Sequence, residues 1–146
     1  MIKKILHCAG WIAIFGNLLL IGLVAFWLIA PYKVPVVEEP IPIENINKTI
    51  AIGEPIEMLL KVEKHKELSP IVQHNITCTD GNLVAMASSP KVIPTGKYTI
   101  HSKNFILPPK VAKGATCQFN FINTYKLNPL RSQTEMWSSE QFKVKE

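Results

Sequence analysis

The chain has 146 residues, of which 47% are hydrophobic and 18% charged, and its formal net charge is +5 at pH 7. This length allows one folded domain with accessory segments. The basic residues are interleaved with glutamates, and no basic run alternates with aromatic side chains. The pattern therefore excludes a nucleic-acid-binding protein of the usual kind, and we expect no nucleic-acid partner.

The first thirty residues predict a membrane anchor. Lys3 and Lys4 precede an apolar run over residues 5–30. About 24 residues rising roughly 1.5 Å each reach about 36 Å, which is enough to cross a hydrocarbon core of about 30 Å. A cleavable signal peptide would have a shorter apolar region that ends in small residues. We therefore expect residues 1–30 to form a cytoplasmic stub and an uncleaved anchor, which contacts the lipid bilayer through residues 5–30.

The basic flank also predicts the orientation of the anchor. The two lysines lie on its N-terminal side, so the positive-inside rule places the N-terminus in the cytoplasm. The C-terminal domain then lies in the periplasm, outside the cell or on a virion membrane. Asn17 lies between Gly16 and Gly22 within the span. Self-association through this helix is one interpretation, which would give a homo-oligomer, and a tolerated single amide is the other.

Residues 31–46 predict a Pro-rich extended linker. Four prolines within this stretch prevent a helix and favour a polyproline-like path. At about 3.1 Å per residue such a linker would hold the following domain up to roughly 50 Å from the bilayer. The alternative is that part of it, residues 40–43, forms an edge strand of the domain.

Residues 47–146 predict an all-β outer domain. Apolar residues recur at every second position in several short segments, which is typical of strands. These segments are residues 56–63, 72–78, 97–101, 117–121 and 142–145. Turn signals separate them, among them Asp80-Gly81, Ser89-Pro90, Pro94-Thr95-Gly96 and Asn128-Pro129. Short strands separated by such turns favour an immunoglobulin-like β-sandwich.

The three cysteines predict one disulfide. Cys8 lies at the cytoplasmic end of the anchor, whereas Cys78 and Cys117 each lie in a predicted core-facing strand outside. Two cysteines in an oxidising compartment are expected to pair. We expect the pair to join facing strands, in the manner of an immunoglobulin inter-sheet bridge, although the tryptophan that packs on such a bridge is missing.

The remaining residue types give no catalytic pattern. No serine lies in a nucleophile elbow, and no triad or pair of acidic groups can be singled out. His65, His74 and His101 are scattered, and their spacing matches no metal motif. We therefore expect no enzyme, no catalytic residues, no cofactor and no metal site.

One segment suggests a recognition surface. Residues 119–139 combine aromatic side chains with an arginine, which is typical of binding hot spots. The candidate residues are Tyr125, Arg131 and Trp137. The alternative is that Trp137 fills one end of the core.

Residues 76–144 resemble uncharacterised phage-encoded membrane proteins that have an N-terminal anchor and an immunoglobulin-like outer domain. The motifs are Cys78-Thr-Asp-Gly, Pro94-Thr-Gly-Lys-Tyr, Leu107-Pro-Pro, Gly114-Ala-Thr-Cys-Gln-Phe, Tyr125-Lys-Leu-Asn-Pro-Leu-Arg and Ser139-Glu-Gln-Phe-Lys-Val. The resemblance implies location and fold but no chemistry.

These features together predict a non-catalytic, membrane-tethered interaction module that acts on an envelope or virion protein. The architecture also resembles membrane proteins of oxidase assembly, so a metal-handling assembly factor of a membrane complex is one alternative. A lysis or superinfection-exclusion protein is another.

Overall fold

The computed structural model describes residues 2–65, 69–86 and 95–146, with side chains from Trp11 onward. The turns predicted at Ser89-Pro90 and at Pro94 lie outside these residues. The chain divides into two compact units. The anchor unit comprises Met1–Tyr32 and Leu127–Ser132, and the β unit comprises Lys33–Lys126 and Gln133–Glu146.

The anchor unit contains one long helix, α1, from Ile2 to Ile29. Its apolar window Trp11–Ile29 has a mean hydropathy of 2.5, and none of that window is buried inside the protein. By length and composition α1 can therefore cross a membrane. It ends just before Pro31, because proline disfavours helical geometry in the residue that precedes it. The Asn17 amide donates a hydrogen bond of 3.0 Å to the Ala13 carbonyl, so this polar group is satisfied within its own helix.

The rest of the chain is mostly β-structure in two sheets, as predicted. The strands are β1 Val36–Val37, β2 Thr49–Ile50, β3 Pro55–Lys64, β4 Ile71–Cys78, β5 Leu83–Met86, β6 Gly96–Ile106, β7 Thr116–Asn128 and β8 Arg131–Val144. A short 3-10 helix over Ile46–Lys48 precedes β2. One sheet has the order β1-β3-β6 and the other β2-β8-β7-β4-β5. Pairing is antiparallel where β3 meets β6 and where β4 meets β7, and parallel where β2 meets β8.

The two sheets pack on each other through an aromatic cluster. The Phe105 ring on β6 lies 4.7 Å from the Phe119 ring and 5.7 Å from the Phe121 ring on β7, measured between ring centroids. The His74 ring on β4 joins the same cluster, 4.6 Å from Phe105. Tilted and edge-on pairs at these separations are the arrangements that aromatic quadrupoles favour. This cluster forms part of the core, together with fully buried residues such as Ile56, Met58, Ile76 and Phe142.

The segment predicted as an extended linker packs largely within the β unit. Val36 and Val37 pair with β3. Ile41 and Ile43 are buried and form bridges to β8 and β3 respectively. Burial of these apolar side chains stabilises the segment on the domain, by about 2 kcal/mol for each fully buried isoleucine. Residues 36–37, 41 and 43 therefore pack as part of the β unit, and the edge-strand alternative describes residues 40–43 better than a free linker does.

The disulfide prediction is confirmed, but its placement differs from the expected one. Cys78 and Cys117 are bonded to each other, and their Cα atoms lie 4.0 Å apart. Cys78 at the end of β4 is the register partner of Cys117 in β7. The bridge therefore joins neighbouring strands of one sheet, whereas an immunoglobulin bridge joins the two sheets. It fixes the register of β4 against β7.

Candidate interaction surfaces

The three residues predicted as a recognition surface do not form one exposed surface. Tyr125 is 2% exposed and Trp137 is 9% exposed, and both belong to the β unit. Burial raises the pKa of the Tyr125 hydroxyl. These two side chains are therefore core residues, as the alternative for Trp137 anticipated. Arg131 is partly exposed and belongs to the anchor unit.

The hairpin tip, residues 127–132, is a well-formed turn. Pro129 and Leu130 are its two turn residues. The Asn128 side-chain oxygen accepts a hydrogen bond of 2.9 Å from the Leu130 N–H. Asparagine commonly bonds its own backbone two residues on, and proline at the following position presets the backbone angle. The turn leaves Leu130 51% exposed.

The hairpin tip caps the C-terminal end of α1. The Asn128 amide donates to the Trp27 carbonyl at 2.7 Å. Nη1 of Arg131 donates to the Ala30 carbonyl at 3.2 Å and to the Leu28 carbonyl at 3.4 Å. The last carbonyls of a helix have no partner within the helix and carry partial negative charge, so an amide and a guanidinium both suit this position. The residues that form this contact are about a hundred positions apart, and no sequence pattern predicts it.

A polar network links three strands and the N-terminal segment of the β unit. Asn120 is buried, and its amide donates to Asn75 Oδ1 at 2.8 Å and to Thr77 Oγ1 at 3.1 Å. Ser138 Oγ donates to Asn120 Oδ1 at 2.9 Å, and the Ser138 N–H donates to the Glu39 carboxylate at 2.6 Å. Because Asn120 is bonded at both ends of its amide, this network stabilises the sheet and offers a ligand little hydrogen-bonding capacity.

Replacing Asn120 with alanine should lower the free energy of unfolding by about 1 to 3 kcal/mol, because it leaves the polar partners of the amide unsatisfied. Urea unfolding of the full chain in detergent, followed by Trp137 fluorescence in a Trp11→Phe, Trp27→Phe background, measures the change. Gln73→Ala on the exposed face of β4 is the control, with an expected change within about 0.5 kcal/mol. Equal unfolding midpoints for the two variants would contradict the structural role of Asn120.

Acidic partners neutralise four lysines of the β unit. The pairs are Lys48–Glu140 at 2.9 Å, Lys61–Glu38 at 2.9 Å, Lys97–Glu63 at 3.2 Å and Lys103–Glu57 at 2.8 Å. Ion pairs this exposed contribute little stability. They do cancel charge locally, so these lysines give little net positive field.

Four other lysines form what we call the basic surface: Lys110, Lys113, Lys143 and Lys145. All four are exposed, and none forms an ion pair with another described residue. The backbone brings their segments together, because the Gly114 N–H donates to the Val144 carbonyl at 3.0 Å. Lys143, on β8, and Lys145, just after it, flank the buried Val144. These four lysines lie in segments beside the end of the last strand, together with the Glu146 side chain, whose Cγ lies 3.9 Å from the position that a Cβ would take at Gly114.

His74 lies in the core of the β unit. It is 7% exposed, and its Nδ1 has no hydrogen-bond partner among the described residues. Burial lowers the pKa of His74 to about 4, so the ring is neutral at pH 7. His65 and His101 lie beside Glu63 and Glu44. Within residues 2–65, 69–86 and 95–146 no group of three His, Cys, Asp or Glu side chains could hold a metal ion.

Comparison with protein-family models, with curated proteins and with solved structures gives no match to this chain. The resemblance to phage-encoded membrane proteins therefore stays a prediction. The features of the chain that bear on its function are the apolar helix, the disulfide, the hairpin tip and the basic surface.

Proposed function

We propose that the chain is a non-catalytic, membrane-tethered interaction module of the cell envelope. One observation carries the proposal: the same chain has a long apolar helix that the rest of the protein does not cover and a β unit that contains a disulfide. A helix that is apolar on all sides belongs in a membrane or a core. A disulfide persists in oxidising compartments. The N-terminus is then cytoplasmic, and the β unit lies outside.

The order of the strands supports an immunoglobulin-like topology for the β unit. In that fold, one sheet contains strands A, B, E and D, and the other contains C, F and G, to which variable-type domains add C′. Labelling β1, β3 and β6 as A, B and E gives the first sheet, and β5-β4-β7-β8 becomes C′-C-F-G. No strand among the described residues takes the place of strand D. The bridge between strands C and F departs from the antibody pattern.

Topology is tested first. Reporter fusions at each end, active only in the cytoplasm or only outside it, should place the N-terminus inside and the C-terminus outside. The mass of the mature chain should include α1, and alkaline carbonate should leave the protein in the membrane fraction. Release of a shortened chain into the soluble fraction would show a cleaved signal peptide and overturn the tether.

The interaction itself is assigned to the basic surface, which we propose binds an acidic patch on an envelope or virion protein. Four lysines on adjacent backbone segments, against the one Glu146 side chain beside Gly114, leave a net positive charge at this place. Such a field accelerates association with an acidic partner and sets its orientation. The attraction acts over about 10 Å at 0.1 M salt, so it should weaken as salt is raised.

A photo-crosslinking amino acid at Gln141, which is exposed on the same strand, tests this assignment in cells. One crosslinked protein species is expected with the native lysines. Changing all four lysines of the basic surface to glutamine should reduce that species at least tenfold. The matched control changes the four ion-paired lysines, Lys48, Lys61, Lys97 and Lys103, to glutamine. Equal crosslinking in the two fourfold variants would contradict the assignment.

The metal-handling alternative gains no support from the cysteines, because Cys78 and Cys117 are bonded to each other. Titration of the reduced chain with Cu(I) tests it directly. The resemblance to phage-encoded proteins suggests virion assembly, entry, lysis or exclusion of rival phages as the process, and the identity of the crosslinked partner would distinguish among these.

A further inference from the structure

We propose that the hairpin tip is a second membrane-contact site, at which Leu130 enters the interfacial lipid and Arg131 binds headgroup phosphates. The proposal rests on the proposed function in one respect, which is that α1 spans a bilayer. It adds a partner, the lipid surface on the far side, and two residues that contact it. The contacts that carry it all lie within the anchor unit.

The depth of the hairpin tip follows from its hydrogen bonds. Asn128 and Arg131 reach the carbonyls of Trp27, Leu28 and Ala30 over 2.7 to 3.4 Å. The apolar window of α1 ends at Ile29, so these carbonyls lie where the span ends. The headgroup region on each side of the hydrocarbon core is about 5 to 8 Å deep. A group within 3.4 Å of the last helical turn therefore lies inside that region.

The side chains of the hairpin tip suit this depth. Leu130 is apolar and half-exposed, so lipid is a more favourable environment than water for its side chain. Arg131 uses Nη1 for the helix carbonyls. A guanidinium has five N–H donors, so Nε and Nη2 keep donors that can bind a phosphate. Trp27 lies beside them on α1, and tryptophan is enriched at membrane interfaces. Apolar, aromatic and cationic groups thus occur together at the level where lipid offers acyl chain, carbonyl and phosphate.

A fluorescent label reports the depth of the tip in the full chain. Leu130→Cys is made in a Cys8→Ser background, labelled with an environment-sensitive dye and reconstituted in phosphatidylglycerol-containing vesicles. We expect blue-shifted emission, quenching by shallow spin-labelled lipid and at least threefold weaker quenching by aqueous iodide than for the same dye at Leu83→Cys. Leu83 is an exposed leucine on β5, with an exposed fraction of 64% against 51% for Leu130. The same dye at Leu20→Cys reports insertion of α1.

The outcomes separate this proposal from the tether. If the Leu20 dye is protected by lipid while the Leu130 dye is quenched by iodide as strongly as the Leu83 dye, the second contact is overturned and the anchor stands. If the Leu20 dye is itself open to iodide, α1 does not insert and both proposals fail.

The roles of the two polar residues need separate variants. Asn128→Ala with Arg131→Ala removes every described bond from the tip to the helix carbonyls, so lipid quenching of the Leu130 dye should fall at least twofold. Arg131→Lys keeps the charge, and it should retain more quenching in phosphatidylglycerol vesicles than in vesicles of phosphatidylcholine alone. Identical quenching of the Arg131→Lys and Arg131→Ala chains in both lipids would overturn phosphate binding by Arg131.

Discussion

Removing the Cys78–Cys117 bridge is expected to lower the free energy of unfolding by about 4 kcal/mol, because the cross-link no longer restricts the unfolded chain. The two residues are 39 positions apart, and they face each other across β4 and β7. Cys117 is almost fully buried, so alanine is preferred over serine, whose hydroxyl would be left without a partner. Such a loss is a large share of the stability of a small domain.

Urea unfolding of the Cys78→Ala, Cys117→Ala chain against the native one measures this loss. Reduction of the native chain should give a similar midpoint, because both treatments open the same loop. Cys8→Ser is the control and should leave the midpoint unchanged. A loss below about 1 kcal/mol would mean that the bridge does not constrain the unfolded chain as the loop model requires.

Acidification from pH 7 to pH 5 is expected to lower the free energy of unfolding by about 2 kcal/mol through His74 alone. The folded-state pKa is about 4, against an ordinary value of 6.5. Between pH 4 and pH 6.5, His74 is therefore protonated in the unfolded chain and neutral in the folded chain. This contribution is fully present above pH 6.5, and it is lost progressively as the pH falls towards 4.

His74→Phe isolates this effect, since phenylalanine fills the aromatic cluster without titrating. Its unfolding free energy should vary less between pH 7 and pH 5 than that of the native chain. Gln73→Ala, at an exposed position of β4 and without a titratable group, should keep the native difference. Lys48 and the Ile43 N–H hold the pKa of Glu140 below its usual range, so loss of that contribution falls below pH 5. A native-like slope in His74→Phe would show that His74 is not the group responsible.

Sequence patterns predicted which segments form the helix and the strands better than they predicted which segments pair with one another. Alternation places strands at β3, β4, β6, β7 and β8, and the length of the apolar run predicts α1. The four prolines of residues 31–46 correctly exclude a helix. They do not reveal that Ile41 and Ile43 are buried, because an extended segment has the same sequence whether it packs on a sheet or lies in solvent. Pairing with distant strands decides between the two.

The burial pattern of β8 shows why the burial of Trp137 is hard to predict from the sequence. Buried positions along this strand are Trp137 and Ser139, then Phe142 and Val144, so the inward face changes parity between residues 139 and 142. Counting back from the apolar pair at the strand end places Trp137 on the solvent side. A one-residue change of register exchanges the two faces of a strand, and nothing local marks where it occurs.

The parallel pairing of β2 with β8 also bears on biogenesis. Thr49 and Ile50 pair with Lys143 and Val144, nearly the whole length of the domain away. If the β unit is exported behind α1, residues 49–50 cross the membrane early and must wait for their partners. Contacts between such distant positions make folding slow. The emerging chain would therefore keep β2 unpaired until translocation reaches β8, so a chaperone on the far side of the membrane would act in that interval rather than on the finished domain.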